Sequence, residues 1–78
     1  MFKEEKLKTL FCTILKIPNN AVNTSTSMET VESWDSLRHM SLIIAIEREF
    51  NVDLEDEEIE QMTSYDVIVS ILKEQSSD

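Results

Sequence analysis

The chain has 78 residues, sixteen acidic against seven basic, for a net charge of −9, and it contains no glycine. One domain of this size buries a modest core and has little room for an enclosed substrate pocket, which speaks against an enzyme. The acidic surplus speaks against a nucleic-acid or anionic-membrane surface, and the lack of glycine removes the phosphate-cradling loops, the dinucleotide fingerprint and the usual calcium loop.

Met1-Phe2-Lys3-Glu4-Glu5-Lys6 lacks the apolar stretch of a signal peptide, and no apolar run approaches the ~18 residues that span a bilayer. A soluble, cytoplasmic protein without membrane insertion is expected. Leu7, Leu10, Phe11 and Ile14 recur at the spacing of an amphipathic helix, predicted over roughly 2–16. Pro18 disfavours helical geometry at Ile17 and should close it. The single cysteine, Cys12, has no Cys or His neighbour at metal-ligand spacing and reads as a packing or surface residue.

Residues 17–34 form a long polar connection with isolated apolar anchors at Val22, Met28, Val31 and Trp34. A loop of that length in so small a domain must be pinned at its anchors, contain a turn of helix, or be functional. Trp34 precedes Asp35, the natural N-cap of a helix predicted over 36–50. Stepping along that helix at about 100° per residue sorts its apolar residues into two stripes. Leu42, Ile43, Ile46 and Phe50 make one, suited to a core. Leu37, Met40 and Ile44 make the other, turned away by something like 130°, with Ser36 near the junction. One packing partner cannot bury both, so the second stripe is expected to be a docking surface unless the 17–34 connection folds over it.

Asn51-Val52-Asp53-Leu54 breaks that helix with poor helix formers. The acidic stretch 55–62 is expected to form a short helix held by Leu54, Ile59 and Met62, its acids solvated and not metal-binding. A last helix is predicted over 64–75, capped by Thr63 or Ser64, with Asp66 at its positive end and Val67, Ile68, Ile71 and Leu72 facing the core. Gln75-Ser76-Ser77-Asp78 reads as a frayed polar tail. Mutual repulsion among the acids makes salt or divalent cations an expected aid to folding. The layout is one all-α domain over 1–78: helix, long loop, helix, short helix, helix.

Asp35, Ser36 and His39 resemble parts of a serine nucleophile, but Asp35 at the cap is held by backbone N–H groups and no oxyanion-stabilising donors are evident. His39 falls on the core side of its helix and reads as a structural residue. No catalytic and no metal-binding residue is assigned. Asp35-Ser36-Leu37, opening a helix after a long loop in an acidic domain of this size, resembles the acyl carrier protein family. The similarity extends through Glu47-Arg48-Glu49-Phe50, Asp56-Glu57-Glu58 and Thr63-Ser64 and covers essentially the whole chain.

The resemblance implies a small four-helix bundle of three longer helices and one short one. Its Ser36 hydroxyl would receive 4′-phosphopantetheine from coenzyme A through a separate phosphopantetheinyl transferase. The arm's thiol would then carry an acyl group as a thioester, in fatty acid or lipid biosynthesis or a related pathway. By the same resemblance Asp35, Leu37, Met40, Ile44 and Glu47 would meet acyl-loading and acyl-using enzymes with basic docking patches, the carrier acting as a monomer. Arg38, Ser41 and Arg48 depart from the non-basic, often acidic residues of housekeeping fatty-acid carriers, and Ser33-Trp34 replaces a small, usually glycine-containing pair. A carrier serving a dedicated pathway enzyme is the expectation. An aminoacyl carrier, D-alanyl or peptidyl, and an unmodified helical adaptor using Leu37, Met40 and Ile44 are the rival readings.

Overall fold

The computed structural model describes residues 3–76, and these contain four α-helices and no strand. They are α1 (Glu4–Leu15), α2 (Ser36–Phe50), α3 (Asp56–Gln61) and α4 (Tyr65–Ser76), with a 3₁₀ turn at Asn19–Ala21. The arrangement is the small helical bundle that the helix order implies. Phe2, Ser77 and Asp78 lie outside the described residues, so the expected first residue of α1 and the end of the polar tail are not addressed. Gln75 is not frayed: it lies within α4 and its amide donates to both carboxylate oxygens of Glu58 on α3, at 3.3 and 3.1 Å.

Each helix contributes a stripe of buried apolar side chains or is flanked by them. Leu7, Phe11 and Leu15 come from α1; Leu42, Ile43 and Ile46 from α2; Tyr65, Ile68 and Leu72 from α4. Leu54 and Met62 clamp α3 at its two ends. The predicted α1 face is rotated: Leu15 is buried, while Leu10 and Ile14 are half-buried on the flank. On α4, Tyr65 replaces Val67 in the core, and Val67 stays half-exposed outside it. Phe11 is the centre of the aromatic packing, edge-on to Trp34 at 5.3 Å and to Tyr65 at 5.1 Å between ring centroids.

Without glycine, the helix ends use other residues in the left-handed region. Lys16 closes α1 at φ 57° and Asn51 closes α2 at φ 54°. Asparagine tolerates this conformation because its short amide can bond locally, whereas lysine gains nothing there. The end of α1 is instead held from outside. Arg38 Nη1 donates to the Ile14 carbonyl at 2.8 Å and Ser33 Oγ donates to the Leu15 carbonyl at 2.7 Å. These are carbonyls the helix itself cannot satisfy. A capping box between Glu55 and Glu58 starts α3, and Ser64 Oγ accepts the Val67 N–H at 3.3 Å to cap α4.

The long connection is pinned in the ways its anchors suggest. Val22 and Trp34 are buried, Met28 and Val31 half-buried, and the 3₁₀ turn supplies local order. It is also tied to the start of α4: Tyr65 N–H donates to the Thr26 carbonyl and Met28 N–H to the Thr63 carbonyl, an isolated antiparallel bridge at Ser27 and Ser64. The connection is therefore held against α4, and it does not fold over α2. Met40 and Ile44 remain about half exposed, at 49% and 51%.

Tyr65 makes the core sensitive to alkali. Its ring is buried and its hydroxyl donates to Glu4 Oε2 at 2.9 Å. Burial first, then that bond and the negative charge of Glu4 and Glu5, raise the phenol far above its ordinary value of about 10. Because the folded-state value is the higher one, the stability it confers is complete below pH ~10 and falls as pH rises, when the unfolded chain loses the proton and the folded one keeps it. Urea midpoints should therefore decline above pH ~10, and Tyr65→Phe should flatten that decline while lowering stability at pH 7. An equal alkaline decline in wild type and variant would contradict the assignment.

Candidate functional site

The beginning of α2 is fixed on three sides. Asp35 is extended, at φ −106° and ψ −176°, and its Oδ1 accepts the Arg38 N–H at 2.9 Å, the expected N-cap. Just before it, Trp34 is buried and its indole N–H donates to His39 Nδ1 at 3.1 Å. His39 Nε2 lies 3.0 Å from the Ile59 carbonyl on α3. An indole can only donate, so Nδ1 must accept; the ring proton sits on Nε2 and is given to Ile59. One imidazole thus joins the loop, α2 and α3.

Ser36 is the first residue of this clamped helix. It is exposed, and among the described residues its hydroxyl has no hydrogen-bond partner. The helix start around it presents backbone N–H groups that favour a negative group such as a phosphodiester. Asp35 does not contact His39 through its side chain, so the three residues do not form a nucleophilic relay.

Beside Ser36 the second apolar stripe lies open. Leu37 is 81% exposed, and Met40 and Ile44 continue the stripe down the helix. Together they leave three large apolar side chains in water on one face of a small domain. Glu47 is half-buried, and its Oε2 accepts the Leu54 N–H at 3.0 Å, which holds the α2–α3 connection. Its place in the structure is therefore partly architectural. The same applies to Arg38, whose guanidinium reaches across to α1. Sequence reasoning missed the tasks of Arg38 and Ser33, because their partners lie 24 and 18 residues away and no local pattern announces them.

Two open grooves flank this region. One, of about 380 Å³, is lined by Thr13, Ile14, Lys16, Leu37, Arg38 and Ser41, between the end of α1 and the start of α2. The other, of about 540 Å³, lies within the connection between α1 and α2, with Ile17, Ala21 and Val31 among its walls. Among the described residues, no cluster of three or more His, Cys, Asp or Glu side chains could hold a metal ion. No described helix is long and apolar enough to cross a membrane.

Comparison with known proteins bears directly on this site. The family model described as a phosphopantetheine attachment site matches residues 5–72. An acyl carrier protein of Buchnera aphidicola subsp. Baizongia pistaciae (strain Bp) is 38% identical over 70 residues, covering 90% of each chain. The chain belongs to the acyl carrier protein family. A second relative, the acyl carrier protein of Petrotoga mobilis (strain DSM 10674 / SJ95), is 33% identical over 70 residues, 90% of this chain and 82% of its own. Family membership implies a covalently attached 4′-phosphopantetheine, and encounters with a phosphopantetheinyl transferase and with acyl-handling enzymes. Acyl carrier proteins carry and do not catalyse. The start of α2 suits such a group, since it offers an exposed hydroxyl, unbonded among the described residues, at the N–H end of a helix.

Proposed function

We propose that this chain is one monomeric, cytoplasmic carrier domain that bears 4′-phosphopantetheine on Ser36 and presents acyl thioesters to the enzymes of a specialised pathway. The observation that carries the reading is the exposed hydroxyl of Ser36, free of hydrogen bonds among the described residues, at the first turn of α2 beside an open apolar stripe. When bound, the arm supplies a terminal thiol on which an acyl group is held. The chain's own part is to hold the attachment point still and to be recognised.

Trp34, Asp35 and His39 hold the first turn of α2, so the Ser36 hydroxyl is presented in one place. The N–H end of the helix accepts the charge of a phosphodiester. Asp35 is occupied as the helix cap and is not a base for Ser36, so proton removal falls to the transferase. Leu37, Met40 and Ile44 dock on partner enzymes, with Asp35 and Glu47 at the edge of the contact. Tethering gives the cargo a high local concentration at each active site, so docking need not be tight.

Loading chemistry tests the cargo class. Holo protein offered a fatty-acyl ligase and, separately, an amino-acid-adenylating enzyme should acquire an acyl thioester from the first. Charging by the second alone would move the protein to the aminoacyl carriers. A housekeeping ketoacyl synthase or malonyl transferase should use the holo protein much less well than its own carrier; equal use would remove the specialised pathway from the proposal.

A further inference from the structure

The charges around the open stripe are not uniform, and the packing of α2 fixes which charge lies on which side. Arg38 reaches the Ile14 carbonyl and Glu49 pairs with Lys6 at 3.4 Å, so this side of α2 faces α1. His39 reaches the Ile59 carbonyl and Glu47 the Leu54 N–H, so that side faces α3. At ~100° per residue, Leu37, Met40 and Ile44 lie between the two. Ser41 and Arg48 border them toward α1, and Ser36 and Glu47 border them toward α3.

The chain beyond the two borders differs sharply in charge. Residues 53–78 hold nine acidic side chains and one basic, whereas residues 1–52 hold seven acidic and six basic. Nearly all of the net negative charge thus lies in the sequence from residue 53 onward, whereas residues 3–16, which span α1, hold four basic and two acidic side chains. On the α1 side, Lys16 is exposed and lines the groove that Leu37 and Ser41 share. Arg48 is exposed on α2, one turn beyond Ile44, and among the described residues it makes no hydrogen bond or ion pair.

A partner that covers Leu37 and Ile44 must also approach Arg48. A uniformly basic partner would set like charges together there, which is costly, while a carboxylate would both steer and fit. We infer that this face docks a partner protein of bipolar surface: an apolar recess for Leu37, Met40 and Ile44, an acidic edge over Arg48 and Lys16, and a basic edge over Glu47 and α3. This deepens the docking part of the proposed function.

The test uses the full chain and three synthetic helical peptides sharing one apolar face. One has glutamates along one flank and lysines along the other; the second has lysines on both flanks and the third glutamates on both. Binding is read from amide chemical shifts at low salt. The bipolar peptide should bind about tenfold more tightly than the all-lysine one, with the largest shifts at Leu37, Met40 and Ile44. Arg48→Glu should transfer the preference to the all-lysine peptide. Equal binding of those two peptides by the wild type, an unchanged ranking in the variant, or no shifts on the stripe would each overturn the inference. None of the peptides engages Ser36 chemistry, so these failures leave the carrier reading standing, and a failure to load Ser36 leaves this one standing.

Discussion

Replacing His39 by alanine is expected to lower the unfolding free energy by about 3 kcal/mol, close to the limit that a domain of this size can lose and stay folded. Two costs combine. The imidazole is buried, and its removal leaves a cavity between α2 and α3. The Trp34 indole N–H and the Ile59 carbonyl also lose their partner, and a buried donor left unpaired costs about 1–3 kcal/mol by itself. Trp34 is the single tryptophan, so its fluorescence follows the change directly during urea unfolding. His39→Leu keeps most of the volume and should recover part of the loss. A cost below about 1 kcal/mol for His39→Ala would mean that the ring is not holding Trp34 and α3 to α2.

Leu37→Asp should have the opposite profile, harmless to the fold and severe for docking. The side chain is 81% exposed, so little buried area is lost, and an acid in the first turn of a helix is favoured by the helix dipole. Stability should change by no more than about 0.5 kcal/mol. In the proposed docking patch, however, an apolar anchor beside Ser36 replaced by a charge should reduce kcat/KM for loading by a phosphopantetheinyl transferase by about a hundredfold, equivalent to about 2.7 kcal/mol. The loss should appear mainly in KM, since Ser36 itself is unaltered. A variant loaded as efficiently as the wild type would place the docking contact elsewhere.

The contrast between these two residues also explains what the sequence could reveal. Leu37, Met40 and Ile44 were legible because helical periodicity places them together and away from Leu42, Ile43 and Ile46; burial is a matter of which side of one helix a residue lies on. Asp35 was legible as a cap for the same local reason. His39 could be assigned to the core side, but its bonds to Trp34 and Ile59 depend on where α3 sits, which no periodicity reports. Arg38 and Ser33 stood out in the sequence as departures in charge and size. The structure gives them a different significance, because both close the carbonyl end of α1 in a chain that has no glycine for its helix termini. Tyr65 was missed as a core residue because the face of α4 was read from its aliphatic residues alone, and Phe11 lies across from the ring.

The attachment of the arm to Ser36 is the claim on which the functional account depends, and intact mass tests it most directly. Wild type and Ser36→Ala are incubated with coenzyme A, magnesium and a broad-specificity phosphopantetheinyl transferase. Ser36 is exposed and among the described residues makes no hydrogen bond through its hydroxyl, so the alanine variant should fold as the wild type does. The account predicts a gain of one phosphopantetheinyl group in the wild type and none in the variant. A folded wild type that gains nothing from any of several transferases, or a variant that gains the group as readily as the wild type, would contradict it.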